Sequence, residues 1–337
     1  MAAYLVRRTF LAVLTIFAIS FLSWILIQLP EGDYVDWYIH AAEVESPEGG
    51  DFTDDMLETL REDFGLNRPL VVQYWDWISN IIITADFGYH FHHGIRFSIK
   101  QLIIDTLPAT VFLSIFTIAI TWVLALPIGI YSAVRHNTIG DFTFTFLGFT
   151  GLAVPDFLLG LVLMYLFFIW FDMSVGGLFS GDFETAPWSP ARFWDMTKHL
   201  LIPGIVLGTS GTASLIRIMR NNLLDEIQRP YVATARAKGL PYWKVIVKYP
   251  VRVALNPFIS GIGAMLPALI GGGLIVSVVL SLPTLGPVLL KALETEDTNM
   301  SGAIILMMGV MTVVGVLISD ILLVIIDPRI RLTGPDK

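Results

Sequence analysis

Long apolar runs without charge dominate the pattern of hydrophobic and polar positions along this chain. Four runs contain no charged residue, and two more contain a single carboxylate each. The charge-free runs cover residues 9–30, 106–134, 200–216 and 253–290, and the other two cover residues 142–171 and 298–326. A helix needs about 20 apolar residues to cross about 30 Å of hydrocarbon. The pattern therefore predicts six membrane-spanning helices.

Two of these runs could cross the membrane either once or twice, judged by length alone. Residues 253–290 are too few for two spans and a turn, so we expect one crossing and a non-spanning stretch near Pro283. Pro155 interrupts residues 142–171, and it indicates a single kinked or partly interfacial crossing. Helices satisfy their own backbone amides in lipid, and no barrel-like alternation is seen. The predicted fold class is an all-α membrane protein.

The composition agrees with this pattern and excludes an ordinary soluble enzyme. Of 337 residues, 55% are hydrophobic and 15% charged, where a soluble domain carries about 25% charged residues. The sequence contains no cysteine, so disulfides, thiolate metal sites and thiol nucleophiles are excluded.

The distribution of charge predicts the orientation in the membrane. Lys and Arg accumulate on the cytoplasmic side, and one set of alternate loops holds 14 of the 21 basic residues. The other set holds 21 of the 29 acidic residues. We therefore expect both termini in the cytoplasm and an acidic exterior, which reflects either a high-salt habitat or a cationic partner. The net charge of −8 argues against nucleic-acid binding.

The segment between residues 217 and 252 is the most informative cytoplasmic loop. Pro230 is expected to open a short helix over residues 231–238, Gly239 to end it, and Pro241 to start a second helix that reaches Lys248. The expected polar face carries Arg236, Lys238, Lys244 and Lys248. The apolar residues that remain to be buried, and so call for a partner, are Tyr231, Val232, Trp243 and Ile246. Such a basic amphipathic pair suits either anionic lipid headgroups or a protein partner.

A series of motifs resembles the oligopeptide/dipeptide/nickel class of ABC-importer permeases. The segment YVATARAKGL (231–240) is similar to that family's cytoplasmic loop signature. Further strings follow the family's order: GLNRPLVVQYWDWI (65–78), DFGY (86–89), LPATVFLS (107–114), LPIGIYSAVR (126–135), LIPGIVLG (201–208) and DPRIRL (327–332). The resemblance covers nearly the whole chain and is to the subunit type with a long outer loop after its first span.

The resemblance implies a type I ABC-importer permease fold and a set of partners. These are a second related permease, two cytoplasmic ATPases that hold ATP and Mg, and an extracytoplasmic solute-binding protein, all working in the cell membrane. The implied division is a tail and first helix over residues 1–29, an extracellular subdomain over 30–100, a five-helix core over 101–330 with a coupling loop at 229–250, and a cytoplasmic tail over 331–337. Short helices are expected within the subdomain at residues 54–64 and 71–83.

The same resemblance gives the cytoplasmic loop its expected role, which is to dock into a groove of the ATPase. The residues carried over are Tyr231, Thr234, Ala235, Arg236, Ala237, Lys238, Gly239 and Leu240. Ala233 stands where the family usually has Arg. No Gly-Lys dipeptide occurs in the sequence, so the chain lacks a phosphate-binding Walker loop. We expect ATP hydrolysis on partner chains and no cofactor, metal or catalytic residue on this one.

Four residues are candidates for the path or the gate: Asp156, Ser277, Leu282 and Asp320. Intramembrane carboxylates are costly and therefore candidates, although Asp156 also suits a helix cap and Asp320 a structural pairing or an inter-subunit role. Ser277 and Leu282 stand where the family usually has Glu and Trp, beside Gly271–Gly273, whose simplest role is close helix packing.

The cargo and one alternative mechanism stay open at this point. Peptides or a similarly sized solute are expected, with nickel complexes or oligosaccharides as alternatives. His90, His92 and His93 could ligate a metal, but solvated histidines are commoner. A secondary transporter without an ATPase is the rival mechanism, against which stand the absence of inverted repeats and the few intramembrane charges.

Overall fold

A computed structural model describes residues 2–29, 35–36, 54–63, 65–92, 95–171, 176–295 and 297–326. Within these ranges the chain forms fourteen α-helices, one short 3-10 helix and a two-stranded hairpin. The helices are α1 Ala2–Ile27, α2 Asp54–Asp63, α3 Leu70–Thr84, α4 Ile99–Val134, α5 Ile139–Ala153, α6 Asp156–Phe171, α7 Pro190–Ile227, α8 Pro230–Ala237, α9 Tyr242–Lys248, α10 Pro250–Ala254, α11 Asn256–Gly272, α12 Leu274–Val279, α13 Leu285–Glu294 and α14 Thr298–Ile326. The strands are β1 Tyr89–His92 and β2 Ile95–Ser98, and the 3-10 helix is Gly181–Phe183.

Four of the described helices are long and apolar enough to cross a membrane: α1, α4, α7 and α14. The bent pair α5 and α6 adds a fifth span if it crosses as one unit. The run 253–290 is divided into helices of 17 residues or fewer, which is less than the usual span. The helical membrane fold is confirmed, whereas the count of six spans stays a prediction.

The kink expected at Pro155 is present as a sharp break between α5 and α6. The two helices are bent by 100°, and Val154 between them is extended, with φ −88° and ψ 126°. Proline disfavours the helical conformation of the residue before it. The Pro155 carbonyl accepts hydrogen bonds from the amides of Leu158 and Leu159 at 3.0 and 3.1 Å. These bonds form the first turn of α6.

Among the described residues, the hairpin is the one departure from helical secondary structure. β1 and β2 pair antiparallel, with Tyr89 opposite Ser98 and His92 opposite Ile95. Each strand has four residues, and only two residues separate them in the sequence, a spacing typical of a tight hairpin. Strands this short leave too weak an alternation to be distinguished from a loop in the sequence.

The chain divides into two compact units, and α1, α4 and α14 contribute residues to both. The first unit comprises residues 1–9, 109–283 and 312–337, and the second comprises residues 10–108 and 284–311. The domain boundaries proposed from the sequence stay a prediction.

Helix α7 is the central element of the first unit. In its most apolar stretch 56% of the residues are buried, against 17–28% in the other three long helices. Near its N-terminal end it contributes Met196, Leu200 and Val206 to a buried cluster with Leu280 and Leu282. Near its C-terminal end it contributes to a second cluster, described with the functional site below. One helix therefore contributes to two of the buried clusters of this unit.

Close approach of α4 to α7 explains the glycines of the string LIPGIVLG. A Cβ atom on Gly204 would come within 2.8 Å of the Phe116 ring, and one on Gly208 within 2.9 Å of the Thr121 hydroxyl. The four-residue spacing places both glycines on one face of α7, where small residues allow helices in a membrane to pack closely.

The second unit is held by two apolar clusters. Ile99, Ile103, Leu285, Met300 and Ile304 belong to the larger cluster, in which α4, α13 and α14 meet. A smaller aromatic cluster joins Trp24 of α1 to Tyr74 and Ile78 of α3, and the hydroxyls of Ser20 and Tyr74 lie 2.8 Å apart. The helices expected over residues 54–64 and 71–83 are confirmed as α2 and α3.

A buried carboxyl at the start of α14 predicts a pH dependence of stability. Asp297 is 2% exposed and accepts the Met300 amide at 2.9 Å, and burial raises its pKa from 3.8 to about 6. The folded state thus binds this proton more tightly than the unfolded state, so the contribution of Asp297 to stability is greatest below about pH 4 and falls as the pH rises through 6. Asp297→Asn keeps the capping oxygen and removes the charge. We expect it to raise the melting temperature at pH 7.5 and to reduce the difference in melting temperature between pH 5 and 7.5.

Thermal unfolding of the purified chain in detergent at pH 5 and 7.5 measures this. Asp105→Asn, which removes an exposed carboxylate from α4, is the matched control and should keep the wild-type pH dependence. An unchanged pH dependence in Asp297→Asn would contradict the assignment.

Candidate functional site

The short helices α8 and α9 form a bend after the long helix α7, as the sequence predicts. We call residues 230–248 the elbow. Pro230 is the first residue of α8, where its missing amide costs nothing. Pro241 lies just before α9, at the N-cap, and not in the first turn as expected.

A small core of their own holds the two elbow helices together. Val232 and Ala235 of α8 pack against Val245 of α9, and Tyr249 covers this cluster. Val232 and Val245 are completely buried. The elbow is therefore a packed body that can move as one piece.

Gly239 makes the turn between the two helices. Its φ is +78°, a left-handed conformation, and its amide donates to the Arg236 carbonyl at 2.9 Å. A Cβ atom placed on it would meet no other atom within 4 Å. The requirement for glycine here comes from the backbone conformation and not from crowding, as the sequence predicts.

The outer face of the elbow is basic and aromatic. The predicted polar residues Arg236, Lys238, Lys244 and Lys248 are exposed. Of the four apolar residues that need burial, Val232 and Ile246 are buried within the chain, whereas Tyr231 and Trp243 are 39% and 64% exposed. Ala235 and Val245 are also buried, since they lie on the sides where the two helices meet.

Cations lie over three of the aromatic rings of this face. The Arg236 guanidinium is 4.6 Å from the centroid of the Tyr242 ring, and the Lys244 ammonium is 5.4 Å from that of Trp243. Lys248 lies 5.6 Å from the centroid of Tyr249. The outer face of the elbow therefore combines apolar rings with positive charges. Such a surface is suited to an acidic, apolar groove on a partner.

The carboxylate of Glu226 fixes the junction between α7 and the elbow. Tyr231 donates its hydroxyl to this carboxylate, and the Arg229 side chain lies 3.7 Å from it. The exposed position of Tyr231 therefore serves a polar contact. The sequence analysis did not identify Glu226 as a contact of the elbow. Its position in the last turn of α7, just before Pro230, was the available signal.

Ile246 connects the elbow to the membrane helices. Its side chain is 3% exposed and belongs to a buried cluster with Met219 and Leu223 of α7 and Phe258 of α11. Val251 and Ala254 of the intervening helix α10 belong to the same cluster. Ile246 of the elbow thus shares one buried cluster with residues of α7, α10 and α11.

An ion pair that the sequence analysis missed joins α5 to α7 near this cluster. Arg220 donates two hydrogen bonds of 2.9 Å to Asp141, whose side chain is 2% exposed. Asp141 also accepts the Asn137 amide at 3.0 Å, and Thr138 caps the helix by accepting the amide of Asp141. The Thr-x-x-Asp spacing marks a helix start, but no local signal identifies a partner 79 residues away.

The family residues carried over to the loop divide between two surfaces. Thr234, Ala237, Lys238, Gly239 and Leu240 are exposed together with Tyr231 and Arg236, whereas Ala235 is buried in the elbow core. Ala235 is thus small because α9 packs against it. The coupling role of the exposed set stays a prediction.

The four candidate path residues do not come together as one group. Asp156 is half-buried in the first turn of α6, where the helix dipole favours a carboxylate. Ser277 and Leu282 are 4% and 3% exposed, and the Leu282 amide donates to the Ser277 carbonyl at 2.8 Å. In this conformation both belong to the packing around α12, and their place on the path stays a prediction.

Asp320 has a partner that the sequence does not reveal. Its carboxylate lies 3.0 Å from the Arg8 guanidinium, which joins α14 to the start of α1. This agrees with the structural pairing considered for Asp320, although the partner is Arg8. Opposite charges near the ends of two apolar helices reduce the cost of placing each of them there.

Two further sequence features are the glycines at residues 271–273, where α11 ends and α12 begins, and the histidines at residues 90, 92 and 93. A Cβ atom on Gly273 would approach the side chain of Leu207 to 3.3 Å, which agrees with close packing. The His90 ring stacks on Phe97 with centroids 5.3 Å apart. The side chain of His92 and all of His93 lie outside the described residues, so a metal site there stays untested.

Comparison with known families gives matches along nearly the whole chain. Residues 125–332 match the model of the binding-protein-dependent transport system inner membrane component. Residues 1–114 match the model of the N-terminal part of the membrane component of the same transport systems.

Individual relatives are similar over their full lengths. The oligopeptide transport system permease protein AppB of Bacillus subtilis is 32% identical, over 98% of this chain and 100% of the relative. The dipeptide transport system permease proteins DppB of Lactococcus lactis and Escherichia coli are 28% and 27% identical, each over 98% of this chain and 100% and 99% of the relative. The chain matches these permeases over nearly their whole length.

The Asp141–Arg220 pair predicts a large loss of stability when only one charge is removed. Arg220→Met leaves a buried carboxylate without its counter-ion, which costs about 3–5 kcal/mol. The double variant Asp141→Asn, Arg220→Met should recover much of this loss. Thermal unfolding in detergent measures both, and Arg217→Met, an exposed arginine one turn earlier on α7, is the control with a change within about 0.5 kcal/mol. Equal destabilisation by the single and double variants would contradict this account.

Proposed function

Because the chain belongs to the family of binding-protein-dependent transport system inner membrane components, we propose that it is the permease subunit of an ABC importer that takes up peptides. The assignment of peptides is supported by the names of the relatives, which are oligopeptide and dipeptide permeases. The observation that carries the mechanism is the elbow, which exposes a basic aromatic face on one side and buries Ile246 beneath α7 and α11 on the other.

The proposed partners follow from what this chain lacks and what it exposes. Its sequence has no Gly-Lys dipeptide for a triphosphate-binding loop, so ATP and Mg are assigned to two partner ATPases. The exposed elbow face is assigned to a groove on an ATPase. A second, related permease is proposed to complete the path, and an extracytoplasmic binding protein to deliver the peptide.

The proposed orientation places both termini and the elbow in the cytoplasm. Its support is the excess of Lys and Arg in the segments that contain the termini and the elbow, against the acidic character of the opposite segments. In a bacterial cell, this corresponds to the cytoplasmic membrane, with residues 30–100 outside.

The proposed transport step is mechanical. When the two ATPases close on ATP, each pushes its elbow, and the elbow moves as one body because Val232, Ala235 and Val245 hold it together. Contact through Ile246 passes the displacement to α7 and α11. These helices then tilt and change the side to which the path is open. The binding protein selects the peptide, and the permease supplies a path without tight binding.

Reconstitution tests the proposal as a whole. The chain is placed in proteoliposomes with the second permease and the ATPases encoded beside it, and uptake of a labelled peptide is followed. We expect uptake only when both the binding protein outside and ATP on the ATPase side are present. Uptake of peptide by the chain alone, along or against a gradient, would contradict the proposal, and so would strict selectivity for a non-peptide solute.

Two substitutions of nearly equal volume at Gly239 test the turn of the elbow. Asn tolerates a left-handed conformation, whereas β-branched Val does not. We expect Gly239→Val to insert into the membrane but to lose most coupling between ATP hydrolysis and uptake, and Gly239→Asn to keep most of it. The measurement is the number of peptides taken up per ATP hydrolysed in the reconstituted complex.

The comparison separates conformation from bulk. Equal loss in both variants would mean that the space above residue 239 matters and not its φ angle. Full coupling in both would contradict the coupling role of the elbow.

A further inference from the structure

A cleft between α5 and α7 has the features of an anion-binding site and is not part of the elbow. It is a cavity of about 210 Å³. Two arginines and an asparagine of α7, Arg217, Arg220 and Asn221, face three phenylalanine rings and Thr145 of α5. The rings are those of Phe142, Phe144 and Phe149.

The charges of this cleft do not cancel. Arg220 and Asp141 neutralise each other through their two hydrogen bonds. Arg217 is exposed, and its guanidinium lies 5.8 Å from the centroid of the Phe149 ring. Within the part of the chain that the structure describes, Arg217 has no carboxylate within ion-pair distance. The cleft therefore carries one positive charge without a counter-ion.

The position of the cleft along the helices is that of a membrane interface. Arg217 is the first charge after the charge-free residues 200–216 of α7, and Asp141 is the last charge before the apolar residues of α5. Seventeen helical residues span about 25 Å at 1.5 Å each. Arg217 and Asp141 therefore mark the depth at which the hydrocarbon ends and lipid phosphates begin, on the same side as the elbow.

We infer that the cleft between α5 and α7 binds the phosphate of an anionic phospholipid, with Arg217 as its main ligand. Its volume is below the 300–1,000 Å³ of pockets for drug-sized ligands, so it suits a headgroup and not a peptide. The aromatic walls suit the glycerol and upper acyl carbons. Basic pockets between membrane helices on the cytoplasmic side are known to hold anionic headgroups. Asn221 can donate an additional hydrogen bond to a phosphate oxygen.

Native mass spectrometry and a binding titration test this without ATP, peptide or partner proteins, so the result is independent of the proposed transport function. The full chain is placed in phosphatidylcholine nanodiscs with increasing phosphatidylglycerol. We expect saturable binding of phosphatidylglycerol that Arg217→Gln weakens about fivefold, the effect of one basic residue at an anionic surface. Arg217→Lys should restore most of the binding.

Three further arms decide the interpretation. Lys198→Gln removes a charge from the far end of α7 and should leave binding unchanged. Thr145→Trp fills the cleft while keeping both arginines and should also weaken binding, provided that thermal unfolding shows both cleft variants folded. Displacement of the lipid by millimolar inorganic phosphate would assign the cleft to a soluble anion and overturn the lipid assignment. Equal phosphatidylglycerol binding by wild type and Arg217→Gln would overturn the site itself.

Discussion

The packing of Ile246 against the C-terminal end of α7 is the contact on which the account of this permease depends. The elbow lies outside the charge-free runs, and its exposed face is available to a partner. Force applied there has to reach helices that cross the membrane. Ile246 is buried with Met219, Leu223 and Phe258, and in the proposed mechanism this shared cluster passes a displacement of the elbow to α7 and α11. Close-packed interiors transmit displacement in this way because they contain little free volume.

The rest of the first unit makes α7 a suitable element to receive that displacement. Gly204 and Gly208 bring α4 into direct contact with α7, and Arg220 ties α5 to α7 through Asp141. Helices α4 and α5 are thus both in contact with α7, and the proposed mechanism has them move together with it. In the proposed cycle, ATP closure on partner chains is converted into a tilt of this group of helices.

The sequence was sufficient to predict structural features that are determined by residues adjacent in the chain. A charge-free run, a proline before a helix or a glycine at a turn acts through the backbone of adjacent residues, and so the membrane helices, the break at Pro155 and the left-handed Gly239 were all predictable. The motifs were also sufficient to predict the family, which the comparisons confirm. The elbow was predicted as two helices with a basic face because its composition and its two prolines are local signals.

Features that depend on residues far apart in the chain could not be predicted in this way. The ion pairs Asp141–Arg220 and Arg8–Asp320 join residues that are 79 and 312 positions apart. No local sequence signal near one residue of a pair predicts the other. The burial of Ala235 in place of Trp243 depends on the angle at which α8 and α9 meet. The β1–β2 hairpin was missed because its strands are too short to show a period. These are tertiary effects, and they include the contacts that give the elbow its mechanical connection.

The most direct test of the central contact is the ratio of peptide uptake to ATP hydrolysis in the reconstituted importer with Ile246→Ala. This change opens a cavity beneath the elbow while leaving its exposed face intact. Val247→Ala, one residue further along α9 and 57% exposed, is the matched control. The account predicts that Ile246→Ala keeps ATP hydrolysis but lowers uptake per ATP severalfold, whereas Val247→Ala leaves uptake per ATP less affected. An unchanged ratio in a folded, assembled Ile246→Ala complex would contradict the account.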